Sequence, residues 1–442
     1  MIKLELEGKK LKWTTLDIVK STVSTKSGGN GLPTKDASKK YGTPAKAKAA
    51  YDAAVADLIA KGYRDPMAPG AAPTKITPRN AALEAAIRAN REDAGPYQVY
   101  ADWLQQQGSP VGELIVLSQA NKKAAVAKII DKLGLPGKGL ATFGWRHGMW
   151  QWLRLENSGN WMDNKFDAVA LSRSVFSQPM CAALEELRIG ILRWEQNYLD
   201  VPAVLAEAKK RSWAADLPKL KLGDVDSDID MAHHQIGDVG KPISKAFPKL
   251  RQLTLHSSAY DGGGTTETFG LSGLDLPELR ELVIETCSMS KKRLTQVLAA
   301  KLPKLEKLEL WFGTPNYDGD ANIKGLTKLL AGAVFGTVKH LGLRNAEFQN
   351  AIAIAIASSK IAGRLESLDL SMGTMTDVGA EALISSASSF GKLKALNVGK
   401  NFLSPAGIRA VKKAFKYAVT ADQKEADDSI EGETHYYVSV AE

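Results

Sequence analysis

The chain has 442 residues, of which 44% are hydrophobic and 24% are charged, so it can build more than one folded domain. Its two cysteines, Cys181 and Cys287, are too few for a disulfide framework, and we expect both to be small buried apolar residues. No apolar run reaches about 18 residues and the first residues lack the apolar core of a signal peptide, which predicts a cytoplasmic protein without a membrane partner.

The net charge of +9 is unevenly distributed along the chain. Residues 1–75 carry 14 Lys and Arg against 7 Asp and Glu, residues 76–180 carry 12 against 9, and residues 181–442 carry 32 against 33. The positive charge therefore belongs to the amino-terminal segment. Such an asymmetry can indicate a polyanionic partner, and the alternative is that it serves solubility.

Residues 1–65 have the pattern of a small α+β domain. Apolar and polar residues alternate through residues 4–23, as they do in half-buried strands. A flexible Ser-Gly-Gly-Asn-Gly stretch follows at 27–31. The Ala-rich residues 45–61, followed by a glycine, then predict a helix.

Strands, a glycine loop, a basic stretch and an Ala-rich helix that ends at residues 61–63 resemble the WGR domain, named for its Trp-Gly-Arg signature. The resemblance implies nucleic-acid contact, to which this family is linked, notably in poly(ADP-ribose) polymerases. Aligned on Gly28, the signature positions hold Ser24, Thr25 and Lys26, so the indole and the guanidinium are both missing. Lys26 keeps a charge but lacks the planar fork that grips a phosphate. The residues predicted for weak nucleic-acid contact are Lys26, Lys39, Lys40, Lys46 and Lys48.

Residues 66–79 hold four prolines among Ala and Gly, which predicts a linker. The Tyr-Ala-Asp-Trp-Leu run at 100–104 and the segment 108–115 then resemble the repeat-companion domain, a small helical domain that precedes leucine-rich repeats in many bacterial proteins. Asp102 and Glu113 have no nucleophile or histidine nearby, so we expect helix caps or ion pairs there rather than acid–base chemistry.

Four of the nine tryptophans lie within residues 145–161. With the neighbouring arginines they could form an aromatic and basic surface for nucleic acid. The alternation of apolar residues from Trp150 to Leu155 instead favours a packed strand. Residues 80–180 are therefore predicted to combine the companion domain with an amino-terminal cap for the repeats.

Eight copies of one pattern, Leu-x-x-Leu-x-Leu with occasional Val or Ile, fill residues 184–398. Consecutive copies start 33, 33, 29, 26, 33, 27 and 28 residues apart. Apolar residues two apart predict a short strand, and helical spacing between the copies predicts a returning helix. Such units cannot bury their apolar faces alone and must stack. The copies start at Leu184, Leu217, Leu250, Leu279, Leu305, Val338, Leu365 and Leu393.

These repeats resemble the leucine-rich repeat family, in its ribonuclease-inhibitor type. The resemblance implies an α/β fold, in which a leucine-rich repeat solenoid of strand–helix units with a parallel inner sheet follows the small α+β WGR-like domain and the small helical domain. The repeats are assigned to 181–416. An acidic carboxyl-terminal tail or cap is assigned to 417–442, and its aromatic end at 436–440 is expected to cover the last repeat.

No catalytic residue, cofactor or metal site is predicted, and we expect no enzymatic activity. Four aspartates at alternate positions from 224 to 230 have calcium-loop spacing, but Ile229 and Gln235 stand where such loops need Gly and Glu. No serine lies in a nucleophile elbow, and only six histidines are present.

The sequence favours a non-enzymatic scaffold that binds a protein partner on the concave face of the repeats. There, side chains between and just after the buried leucines face solvent, Val283 among them. Trp311 lies among acidic residues with Arg344 one repeat on, a composition typical of interaction hot spots. The alternative is that Trp311 only covers apolar surface. The predicted partner-binding residues are Arg188, Lys221, His256, Glu285, Glu309, Trp311, Arg344 and Asp369.

A second functional hypothesis is a nucleic-acid-associated regulator that contacts phosphates through the basic amino-terminal module. Salt dependence distinguishes the two hypotheses, because phosphate-driven binding weakens steeply as salt rises. The sequence leaves open the identity of the partner, the oligomeric state and the biological process.

Overall fold

The computed structural model describes residues 2–6, 12–29, 32–61, 78–137, 139–157, 166–194, 197–225, 235–258, 268–430 and 433–441. The chain divides into two compact units. The first comprises residues 1–76 with 130–136, and the second comprises 77–129 with 137–442. Within the described ranges, no helix has both the length and the apolar character needed to cross a membrane.

The first unit contains an antiparallel sheet whose four strands follow one another in chain order. The alternating pattern buries Leu16 and Val23, and Ala47 of the following helix is buried as well. The helix packs on the second and third strands and matches the predicted segment to within one residue at each end. The elements are β1 (Ile2–Leu6), β2 (Lys12–Val19), β3 (Thr22–Gly29), β4 (Leu32–Lys40) and α1 (Pro44–Ala60).

The second unit begins with helices that local side chains cap. Asn80, Asp93 and Ser109 each accept a hydrogen bond from a backbone N–H of the following first turn, which satisfies donors that a helix leaves unpaired. The buried face of the second of these helices is Tyr97, Tyr100, Ala101 and Leu104. The helices are α2 (Ala81–Ala89), α3 (Ala94–Gln106), α4 (Pro110–Gln119) and α5 (Lys123–Lys132), of which residues 123–129 belong to this unit.

An eleven-stranded sheet runs through the rest of this unit. Its first two strands form a hairpin, and all later strands of this sheet are parallel. The strands in chain order, including the two-residue β9 and β11 that pair with each other, are β5 (Ala141–Arg146), β6 (Met149–Leu155), β7 (Glu186–Ile189), β8 (Lys219–Leu222), β9 (Gly237–Asp238), β10 (Gln252–His256), β11 (Phe269–Gly270), β12 (Glu281–Glu285), β13 (Lys307–Gly313), β14 (His340–Ala346), β15 (Ser367–Asp369), β16 (Ala395–Asn397) and β17 (Ala418–Val419).

Each of the eight predicted repeat strands is present, and each pairs with the strand of the next repeat. Leu253, Leu282, Leu308 and Leu341 stand side by side in register and are at most 1% exposed. The prediction that these leucines form one shared core is confirmed.

Helices return the chain between strands in most repeats. They are α6 (Ala168–Phe176), α7 (Asn197–Lys209), α8 (Gly240–Ala246), α9 (Lys291–Leu298), α10 (Thr327–Leu330), α11 (Gln349–Ala357), α12 (Asp377–Ser385) and α13 (Pro405–Ala414). Between β10 and β12, residues 259–267 lie outside the described residues, so the expected helix of that unit stays a prediction. The described residues 268–280 hold Gly270, Gly273 and Pro277, which are poor helix formers, and there β11 pairs with β9.

The carboxyl-terminal segment adds a two-stranded hairpin, β18 (Asp427–Ile430) and β19 (Glu433–His435). After it, the chain runs back along the repeats. Most of the proposed linker at 66–79 falls within residues 62–77, which lie outside the described residues. Trp161 of the tryptophan-rich segment lies outside them as well.

Candidate functional site

One side of the eleven-stranded sheet carries the side chains that lie between the buried leucines, and we call it the open face. The register aligns these side chains in rows. The middle row runs Arg154, Arg188, Lys221, Thr254, Val283, Glu309, Gly342, Asp369 and Asn397. In the adjacent row, His256 stands beside Glu285 and Trp311 stands beside Arg344. All eight predicted partner-binding residues belong to these two rows.

Four of the eight form one connected group, which we call the Trp311 cluster: Glu309, Trp311, Arg344 and Asp369. The guanidinium carbon of Arg344 lies 5.0 Å from the centre of the Trp311 ring, within cation–π range. Arg344 Nη1 donates to Glu309 Oε1 at 2.5 Å, and Trp311 Nε1 donates to the same oxygen at 2.9 Å. Arg344 Nε lies 3.5 Å from Asp369 Oδ1, which adds a second ion pair. These contacts hold the indole and the guanidinium in one fixed arrangement.

The backbone of β14 makes room for this arrangement at Gly342. A Cβ atom at that position would lie 2.9 Å from Cγ of Glu309, closer than real Cβ contacts allow. The Glu309 side chain on β13 can therefore extend over Gly342 and reach Arg344, which lies on β14 together with Gly342. A larger residue at 342 would displace the carboxylate that holds both Trp311 and Arg344.

Trp311 is half-buried rather than fully exposed. It packs against buried Cys287, together with Tyr317 and Val440. The side chains of Arg344 and Glu309 are 20% and 14% exposed. Trp311 thus covers apolar surface, as the alternative interpretation required, and also takes part in the polar cluster.

His256 and Glu285 form a neighbouring pair, with Nδ1 of the imidazole 3.1 Å from Oε2 of the carboxylate. Burial by itself raises the pKa of Glu285. The hydrogen bond from His256 and the nearby charges of His256, Lys221 and Arg344 outweigh burial and leave this pKa below its usual value. Glu285 is therefore ionised at neutral pH and contributes negative charge to the open face.

The amino-terminal end of the open face is rich in cations. Arg188 forms a two-point contact with Glu186, at 2.8 and 2.9 Å, and its guanidinium lies 5.0 Å from the Trp152 ring centre. Lys221 lies 2.7 Å from Asp224, as part of a second paired group. These cations are oriented by carboxylates on their own side of the sheet.

Asp224 is the first of the four aspartates with calcium-loop spacing. Its carboxylate is held by Arg154 at 2.8 Å as well as by Lys221. The other three aspartates fall in residues 226–234, outside the described residues. In the part of the chain that the structure describes, no group of three or more His, Cys, Asp or Glu side chains is placed to hold a metal ion.

Val283 lies in the middle row, but it is only 6% exposed, so its prediction as a solvent-facing position is wrong. Its register neighbours are Thr254 on one side and the longer Glu309 on the other. A short apolar side chain in this position is covered by its neighbours rather than presented to a partner.

The carboxyl-terminal segment is a feature of the site that the repeat pattern does not reveal. The Asn345 side-chain amide donates to the Val440 carbonyl at 2.7 Å, and the Val440 N–H donates back to Asn345 Oδ1 at 2.9 Å. The Ser439 N–H donates to the Met372 carbonyl at 2.8 Å, and the Tyr436 ring packs edge-on against Phe402. The segment therefore extends beyond the last repeat, which it was expected to cover, and reaches the edge of the Trp311 cluster.

The five lysines predicted for nucleic-acid contact are exposed and belong to the first unit. Lys26 lies on β3, Lys39 and Lys40 lie on β4, and Lys46 and Lys48 lie on α1. Lys48 pairs with Asp52 at 2.6 Å, and Lys26 lies 3.9 Å from Asp36. Part of this positive charge is thus offset by neighbouring carboxylates.

Comparison with known proteins finds one family match and two similar solved structures. A family model described as "Leucine Rich repeat" matches residues 365–383, which run from the start of the seventh copy of the pattern across β15 into α12. A solved structure of a protein from Bacteroides fragilis is similar over 100% of both chains, with a TM-score of 0.53 and 19% sequence identity. An internalin from Listeria monocytogenes aligns over 59% of this chain and 77% of its own, with a TM-score of 0.25 and 14% identity. A search of curated proteins finds no match.

The family match identifies a leucine-rich repeat at residues 365–383, and the parallel sheet repeats the same strand pattern along the chain. The likeness to the Bacteroides protein supports the same fold. Stacked repeats of this kind build one extended surface, because each repeat adds to the same sheet.

Proposed function

We propose that this protein is a non-enzymatic scaffold that binds a protein partner on the open face, with the Trp311 cluster at the centre of the contact. The stacking of Arg344 on Trp311, fixed by Glu309 and Asp369, is the observation that carries this proposal. Trp and Arg dominate interaction hot spots. Side chains that are already ordered lose less conformational entropy when a partner binds.

The distribution of charge on the open face supports selective binding. Arg188 and Lys221 belong to the early repeats, whereas Glu285, Glu309 and Asp369 belong to later ones. Arg188, Lys221, Glu309 and Asp369 each have an oppositely charged neighbour, so a matching partner presents charged groups of both signs along the face. Complementary charge of this type contributes more to specificity and association rate than to affinity.

We also propose the domain organisation that the resemblances imply: a WGR-like module at 1–65, a linker at 66–79, a companion domain and cap at 80–180, repeats at 181–416 and a tail at 417–442. The sheet and helix of the first unit support the first assignment, and the capped helices α2–α4 support the third. The cytoplasm is the proposed location, since it is where a scaffold with two free cysteines keeps its thiols reduced.

The test is capture of partners from nuclease-treated extract of the source cell by the wild-type protein and by an Arg344→Ala variant. Arg409→Ala is the matched control, because Arg409 is an exposed arginine on the outer helix α13. We expect Arg344→Ala to reduce capture of a specific partner by about tenfold or more, as loss of a hot-spot arginine does. Equal capture by both variants would remove the Trp311 cluster from the interface.

A second candidate function is weak nucleic-acid contact through the first unit. Lys40 and Lys46 are exposed and have no carboxylate partner among the described residues, so their charge is available to phosphates. We expect duplex DNA to bind the full chain weakly and without sequence preference, and to be released as salt rises. Nanomolar affinity at near-physiological salt would instead make nucleic acid the principal partner.

A further inference from the structure

A cavity of about 630 Å³ opens where the end of α2 meets the edge of the sheet at which the repeat strands begin. Both borders belong to the second unit. Its lining holds five cationic side chains: Arg88, Arg91, Lys219, Lys249 and Arg251. Three carboxylates, those of Glu92, Glu185 and Asp216, also line it.

The three carboxylates already have cationic partners. Asp216 accepts from Arg88 Nε at 2.9 Å and from Lys249 Nζ at 2.7 Å. Glu92 lies 2.8 Å from Arg146 Nη1, and the same guanidinium donates to Glu185. Arg146 is not part of the lining, so one positive charge from outside the cavity offsets part of the negative charge of Glu92 and Glu185.

Among the described residues, the three remaining cations have no carboxylate within ion-pair distance. Arg91 donates to the backbone carbonyls of Arg88 and Asp216, and its buried Nε has no acceptor among the described residues. Lys219 and Arg251 form no ion pair within the described parts of the chain, and both are exposed at the mouth of the cavity. Burial lowers the pKa of the Arg91 guanidinium despite the opposing effect of Glu185 and Asp216, so its positive charge is only partly compensated.

The excess positive charge lies at one end of this edge of the sheet. A second cavity of about 430 Å³ continues along the same edge and shares Lys219 and Arg251 with the first. Farther along it, Arg280 pairs with Glu306 at 2.5 Å and Lys307 pairs with Glu281 at 2.6 Å. A long polyanion would therefore meet one cationic site followed by neutral pairs, whereas a compact anion fits the unpaired cations alone.

We propose that the cavity binds a compact multivalent anion, a small molecule that carries phosphate or carboxylate groups. Its volume lies in the range of about 300–1,000 Å³ that is usual for small-molecule sites. The planar guanidinium of Arg251 suits two-point contact with either group, and Lys219 adds a mobile point charge. Neither residue belongs to the Trp311 cluster, so this inference holds whether or not that cluster binds a partner.

The test uses isothermal titration of the full chain at low ionic strength, with inorganic pyrophosphate and citrate as separate probes. The variants are Lys219→Ala and Arg251→Ala, and both should fold because both side chains are exposed. Lys394→Ala is the control, since Lys394 is an exposed lysine of a later repeat whose charge is paired with Glu366 at 2.8 Å.

We expect one site per chain, with the dissociation constant raised about tenfold in each cavity variant and unchanged in the control. Binding of pyrophosphate alone identifies a phosphate ligand, and binding of citrate alone identifies a carboxylate ligand. The proposal is overturned if neither probe binds, or if the cavity variants bind as tightly as the control. Thermal melting of each variant shows whether any loss of binding comes from unfolding.

Discussion

Replacing Leu308 by Ala should destabilise the repeats strongly, because this side chain is at the centre of the stacked core. Leu308 is fully buried and lies in register between Leu282 and Leu341. The substitution removes three carbon atoms, which costs about 2.4 kcal/mol at roughly 0.8 kcal/mol for each buried group. The neighbouring strands are held at a spacing of about 4.8 Å by backbone hydrogen bonds and cannot close the gap. The cavity term raises the expected loss to about 3–4 kcal/mol, within the usual range of about 2–5 kcal/mol.

Urea unfolding followed by circular dichroism measures this loss. Leu199→Ala on α7 is the matched control, because it deletes the same atoms from a side chain that is 54% exposed. We expect the control to change the free energy of unfolding by less than about 0.5 kcal/mol. A repeat array need not unfold in one step, so the midpoints are compared only where the slopes agree. If both variants unfold at the wild-type midpoint, the leucine ladder is not the core of the fold.

Two further predictions concern the surroundings of Trp311. The pKa of Glu285 is held below its ordinary value of 4.5, so its ionised form stabilises the fold above about pH 4.5, and this contribution is lost as pH falls through the lowered pKa. Glu285→Gln should therefore be less stable than wild type at pH 7 and closer to wild type at acid pH. An equal difference in the free energy of unfolding at both pH values, measured by urea titration, would contradict this. Val440→Asp should detach the carboxyl-terminal segment from Asn345 and speed the reaction of Cys287 with a thiol reagent. Cys181, which is also buried, serves as the internal control. Unchanged labelling of Cys287 would show that Val440 does not protect this thiol.

The repeat strands could be predicted from the sequence because their buried leucines recur with one spacing rule. Leu253, Leu282, Leu308 and Leu341 each repeat the same local pattern, and stacking follows from it. The helix α1 could be predicted for a similar reason, since its alanine-rich composition and the following glycine are local signals.

Other parts of the site depend on contacts between residues far apart in the sequence. The burial of Val283 depends on the neighbours that the register supplies, and the pairing of β11 with β9 joins residues that lie more than 30 positions apart. Asn345 binds the backbone of Val440, 95 positions away, through a pairing that no local pattern encodes. The cationic cavity likewise joins Arg91 to Lys219 and Arg251, which belong to different elements.

The central claim is that a partner binds the open face around Trp311, and hydrogen exchange of the captured complex tests it most directly. Peptides that contain β12, β13 and β14 should exchange more slowly when the partner is bound, whereas peptides from the outer helices α11, α12 and α13 should exchange as in the free protein. Arg344→Ala should abolish the difference on the strands, and Arg409→Ala should leave it intact. Protection of the outer helices with none on β12–β14 would contradict the account and place the partner on the opposite side of the solenoid.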